Sequence, residues 1–143
     1  VYLWLPQAFN EVGHAAVHCN SFYVSFWPAS GGTKKGSDPS TWHNYSQDEQ
    51  AEGRAPDETI ELCCLNQTKM AAVLATLQKK NSNFECIGQN CSTMSGAVLF
   101  GGVDTSKPTC SSREKLHSCF NQDGSVAGID KPSNIRKLAN CLK

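Results

Sequence analysis

Val12-Gly13-His14-Ala15-Ala16-Val17-His18-Cys19-Asn20-Ser21-Phe22-Tyr23-Val24-Ser25-Phe26-Trp27 is the stretch whose pattern decides the fold. Alternating residue types flank Asn20-Ser21, a pair suited to a two-residue turn, so the segment predicts a β-hairpin. In that register Cys19 faces Phe22, His18 faces Tyr23, Val17 faces Val24, Ala16 faces Ser25 and His14 faces Trp27. Ala15, Val17, Cys19, Phe22, Val24 and Phe26 then make an apolar side for a core. His14, Ala16, His18, Tyr23, Ser25 and Trp27 make a mixed polar and aromatic side that carries two histidines.

Outward from the hairpin, residues 1–6 read as a short strand ended by Pro6. Residues 28–57 are polar and without period, which predicts a long loop whose Trp42 and His43 could reach a site. Residues 58–65 alternate as a strand, with Ile60, Leu62 and Cys64 on one side. Asn66 can cap a helix over 67–80 whose Met70, Val73, Leu74 and Leu77 share one side. After a break at 81–83 and a short segment at 84–87, Cys91 opens a second helix that Gly101-Gly102 stops. A turn-rich tail holds Cys110 and Cys119, and a last helix starts at Pro132 with Ile135, Leu138, Ala139 and Leu142 on one side; its Cys141 could staple it to the body.

A chain of 143 residues, 39% apolar, fills one core, so residues 1–143 read as a single domain. Thirteen basic side chains balance thirteen acidic ones, which gives no field to draw nucleic acid or an anionic membrane surface. No phosphate-binding glycine motif or basic aromatic stripe occurs, no cofactor is implied, and no stretch approaches the roughly 20 apolar residues of a membrane span. The chain opens at Val1 without an initiator Met or an apolar leader, which fits a mature secreted product and equally a trimmed chain.

Eight cysteines, at 19, 63, 64, 86, 91, 110, 119 and 141, argue for disulfides and a secreted, oxidising setting. A zinc site is disfavoured because no Cys-x-x-Cys pair occurs. Asn44-Tyr45-Ser46 and Asn66-Gln67-Thr68 match the N-glycosylation acceptor pattern.

A cysteine in the first turn of a helix feels the positive end of the helix dipole and nearby backbone N–H groups, which favour thiolate over thiol. Cys91 has that position, and His14 on the hairpin is the natural base for it. The Cys91 N–H would help bind the oxyanion of an acyl intermediate.

The order of these pieces resembles the circularly permuted papain fold. Val12-Gly13-His14-Ala15 on an early strand comes first, then Tyr23-Val24-Ser25-Phe26-Trp27-Pro28, then Asn90-Cys91-Ser92-Thr93 at a helix start. The order is similar to that of permuted NlpC-type peptidases and of lecithin:retinol acyltransferase-like enzymes. The resemblance covers roughly residues 12–102. It implies an α+β fold with a small antiparallel sheet packed against helices. The papain-like core would span about 1–102, with 103–143 a disulfide-rich C-terminal extension.

It also implies a thiol hydrolase acting on an amide bond in a peptide, an isopeptide or a peptidoglycan stem peptide. Cys91 is then the nucleophile and His14 the base, and Ser25, or else His18, orients His14. Tyr23, Trp27, Trp42 and Asn90 are the candidate substrate contacts, and the expected form is a monomer. Two other readings stand beside it: a lipid acyltransferase or thioesterase, and a non-catalytic binding module or toxin on the same fold. A Cys86–Cys91 disulfide would favour the binding module. For His14 the bland alternative is a histidine packed against Trp27. Asp57 and Glu61 on one strand edge read as a solvated edge rather than a glycosidase pair.

Overall fold

The computed structural model describes residues 1–8, 11–30, 37–63, 65–80, 83–85, 89–103 and 131–143. Most of the Cys-rich tail therefore lies outside the described residues. Three short strands and one longer one form the main sheet: β1 (Tyr2–Trp4), β2 (His14–Cys19), β3 (Phe22–Val24) and β7 (Glu58–Thr59), in the order β3-β2-β1-β7. All pairings are antiparallel. Two two-stranded ribbons complete the strands: β4 (Phe26–Pro28) with β6 (Ser40–Trp42), and β5 (Ser37–Asp38) with β8 (Phe84–Glu85). Four helices are described: α1 (Tyr45–Glu52), α2 (Gln67–Lys79), α3 (Cys91–Gly101) and α4 (Pro132–Leu142). The architecture is mixed α+β, a small antiparallel sheet packed against helices.

The hairpin forms in the expected register, with Cys19 opposite Phe22, His18 opposite Tyr23 and Val17 opposite Val24. It then departs from expectation. Ala16 does not pair with Ser25, nor His14 with Trp27, because the chain leaves β2 at Ser25 and Phe26–Pro28 pairs with β6 instead. The sheet splits there, and α3 packs on β2, β3 and β4 around the split.

On one side of the sheet, Leu3, Ala15, Val17 and Val24 meet Met70 and Leu74 of α2, Val98 and Leu99 of α3, and Ile135, Leu138 and Leu142 of α4. α2 and α4 present the apolar side that their sequence period specifies, whereas α3 is buried around most of its surface. On the other side, Trp4, His14 and Ala16 are also buried, although the sequence assigns that side a polar character. What covers them is the segment after β4, expected to be structureless. It holds β5, β6 and α1, followed by Gly53 in the left-handed conformation that ends the helix. The α1 sequence Tyr-Ser-Gln-Asp-Glu-Gln-Ala-Glu has no apolar side, so periodicity could not find it.

Residues beyond α1 tie back to β1. Trp4 Nε1 donates to Arg54 O at 2.9 Å, Arg54 donates to Leu5 O at 2.7 Å, and Leu5 N donates to Asp57 at 2.7 Å. Arg54 also pairs with Asp57, holding that carboxyl below its ordinary range. The strand expected over 58–65 shrinks to Glu58–Thr59, with 60–63 irregular.

Asn44, Asn66 and Asn90 are all helix N-caps with side chains that accept backbone N–H bonds. Both glycosylation-type asparagines thus have a structural reason to be asparagine. Gly13 leads into β2 at φ 72°, and a Cβ there would lie 2.4 Å from Trp4 O. Gly13→Ala is expected to destabilise the fold by about 1–3 kcal/mol of backbone strain, with the clash adding to it, and so to lower the denaturation midpoint. A midpoint matching the parent in urea titration would contradict this.

Candidate functional site

Asp48 is the one buried residue of α1 and is wholly inaccessible. A helix that buries only a carboxylate is held in place by what that carboxylate bonds. Tyr23 Oη donates to Oδ2 at 2.7 Å, while Ser25 Oγ and Trp27 Nε1 each donate to Oδ1 at 2.7 Å. His14 Nε2 lies 3.2 Å from Oδ2 and 2.9 Å from Ser25 Oγ. Burial alone would push the Asp48 carboxyl up, but the bonds from His14, Ser25 and Tyr23 together outweigh it and hold the group below its ordinary value. The first turn of α1 adds the favourable end of a helix dipole. Tyr23 responds in the opposite sense: burial first, then the neighbouring Asp48 charge, raise its phenol far above the usual range, so it stays a donor.

This network fixes the tautomer of His14. The single hydroxyl proton of Ser25 goes to Asp48, so Ser25 Oγ accepts from His14 and from Trp27 Nε1 at 3.0 Å. An ionised Asp48 also only accepts. His14 Nε2 therefore carries the proton, and in the neutral ring Nδ1 is the basic nitrogen. The ring is further fixed by Trp27, 4.5 Å away between centroids, and by Trp4 at 5.5 Å.

Cys91 is buried at the start of α3, and Cys86, its alternative partner, lies outside the described residues. Asn90 caps α3 reciprocally: its side chain accepts from Ser92 N and Thr93 N at 2.9 and 3.1 Å, and its own N–H donates to Thr93 Oγ1. Ser95, one turn after Cys91, donates to Ala15 O at 3.1 Å. Farther on, Leu99 lines the same cavity as Val17 and Cys19, while near the start Met94 packs on Phe26. α3 therefore runs alongside β2 in the same direction. Cys91 stands about 6 Å, four residues, before Ser95, toward the start of β2; α3 packs on the Ala15 and Val17 side of that strand, whereas His14 meets Asp48 of α1 on the other side.

Four sequence expectations change here. The residue that orients His14 is joined by a carboxylate: Ser25 is in contact, but Asp48 supplies the charge. His18 is not part of the cluster; it is exposed, bonds Tyr2 Oη at 3.4 Å and stacks on Tyr2, because four residues along a strand carry it about 13 Å from His14. Trp42 packs on Phe26 at 5.0 Å, and its neighbour His43 reaches the site instead. Tyr23, Trp27 and Asn90 hold site residues in place: the first two bond Asp48, and Asn90 bonds the α3 backbone. The signal for Asp48 was present as Asn44-x-x-Gln47, a capping pattern that places Asp48 in a first helical turn.

A cavity of about 490 Å³ opens at the far end of β2, lined by Tyr2, Val17, Cys19, Ile60, Cys63 and Leu99 among others; neither His14 nor Cys91 lines it. Cys19 and Cys63 carry thiols, and Cys141 on α4 is disulfide-bonded. Among the described residues, no cluster of three or more metal-ligating side chains occurs, and no helix is long and apolar enough to cross a membrane. No family model, curated protein or solved structure matches the chain.

Proposed function

We propose that the chain is a thiol hydrolase of permuted papain type, secreted and acting on an amide bond, with Cys91 as nucleophile, His14 as base and Asp48 as the carboxylate that orients His14. The observation that carries this reading is the buried Asp48, fixed by three donors and set against His14 Nε2, which assigns proton exchange to Nδ1. A histidine merely packed against Trp27 would need no buried carboxylate behind it, and burying one is costly unless it is fully bonded.

In this mechanism His14 Nδ1 takes the Cys91 proton and Asp48 stabilises the imidazolium. The thiolate attacks the amide carbonyl carbon, and the Cys91 N–H at the α3 start receives the oxyanion. Collapse breaks the C–N bond, and the amine leaves with the proton from Nδ1. Water, deprotonated by His14, then attacks the thioester, releasing the acid and restoring the thiol. Peptide, isopeptide and peptidoglycan stem peptide are the substrate classes in view.

A peptidyl chloromethyl ketone tests the pairing. It is expected to alkylate Cys91 in the native protein, to lose that reaction in His14→Ala, and to leave exposed Cys63 the slower thiol. Equal labelling of Cys91 in the parent and in His14→Ala would overturn the reading.

A further inference from the structure

We propose that His43 is a positioning residue of this site, which shares Asp48 with His14 and thereby sets the acid limit of Cys91 reactivity; the inference rests on the thiol-hydrolase reading above. His43 Nδ1 lies 3.4 Å from Asp48 Oδ1, while His14 Nε2 lies 3.2 Å from Oδ2, so two imidazoles flank one carboxylate. The Trp27 indole contacts both rings: His43 stacks on it at 5.1 Å and 17°, and His14 lies 4.5 Å from it. Backbone fixes His43 there, since His43 N donates to Ser25 O at 3.1 Å. The His43 side chain is 19% exposed, whereas those of His14 and Asp48 are inaccessible.

One carboxylate neutralises one imidazolium. Asp48 on α1 and Tyr23 on β3 face the pair, with Cys91 on α3 beyond His14 in the proposed site, and Tyr23 remains a neutral donor. Once His43 is charged, it takes a share of Asp48, and its charge opposes the imidazolium that His14 must carry beside the Cys91 thiolate. The active ion pair is then favoured only above the His43 titration, and the two rings titrate as a coupled pair.

Two variants with opposite electrostatic consequences separate this role from a structural one. Cys91 carboxamidomethylation by iodoacetamide is followed at pH 5.5 and pH 8 in the parent, His43→Gln and His43→Lys. His43→Gln is expected to raise the rate at pH 5.5 by about tenfold, a one-unit displacement of the acid limb, with no change at pH 8. His43→Lys is expected to lower the rate at pH 8 by a similar factor. Variants that both follow a parent whose Cys91 reacts below the ordinary thiol range, or that both lose reactivity alike at the two pH values, would overturn the proposal.

A second readout does not involve the thiol. In Cys91→Ser, the NMR titration midpoint of the His14 ring is expected to rise when His43→Gln is added. An unchanged midpoint would overturn the coupling. Ordinary thiol behaviour of Cys91 in all three proteins, with the His14 midpoint still shifting, would instead count against the hydrolase reading alone.

Discussion

Cys91→Ala is expected to lower the proposed hydrolysis by about four to six orders of magnitude while leaving the protein folded. Its side chain is small and sits at the start of α3, where the cap is built by Asn90 and Thr93 rather than by the thiol. Truncation should therefore cost only about 1 kcal/mol, the ordinary scale of a point substitution. Activity against a panel of peptide amides, read beside a urea denaturation curve, checks both halves. A loss of stability above about 3 kcal/mol with no covalent chemistry lost would show that the cysteine serves packing.

Asp48→Ala has the largest expected effect on stability. The carboxylate accepts from Tyr23, Ser25 and Trp27 and faces His14, all of them in the covered side of the sheet. Removing it leaves those donors buried and unsatisfied, a loss of about 3–5 kcal/mol. Asp48→Asn keeps the shape but removes the charge and turns an NH₂ towards donors. It should fold better than Asp48→Ala yet lose most of the Cys91 reactivity, because the imidazolium has no counter-charge. Denaturant midpoints for the two variants, paired with alkylation rates, check the ordering.

The same carboxylate gives stability a pH dependence of known sign. Its folded-state pKa is lowered, so its contribution is complete above the unfolded value, about 3.9, and is lost as pH falls through the lower folded value. Stability should decline from about pH 4 downward, and Asp48→Asn should flatten that decline.

How much of this was legible follows from what each signal depends on. The hairpin, α2, α3 and α4 follow from apolar period and caps, which are local, and the structure keeps them with boundaries close to those expected. Ser25 marks where the local signal ends: nothing in Phe26-Trp27-Pro28 says that these residues will prefer β6 to β2, since that choice depends on a partner twelve or more residues away. α1 is polar all round, so its helicity shows only in Asn44, Gln47 and Gly53, and its purpose shows only once Asp48 is seen against His14. His14 and Cys91 could be named because a strand histidine and a helix-start cysteine have sequence signatures. The carboxylate behind His14 and the second histidine could not, because their roles are set by tertiary contact.

The central claim is tested most directly by site-resolved alkylation of the native, unreduced protein with iodoacetamide across pH, with exposed Cys63 as the internal reference. A Cys91 that labels well below pH 8.5, the ordinary thiol midpoint of about 8.5, and ahead of Cys63, is the predicted result. A Cys91 that labels only after Cys63 as pH rises, or only once the protein is unfolded, would contradict the account.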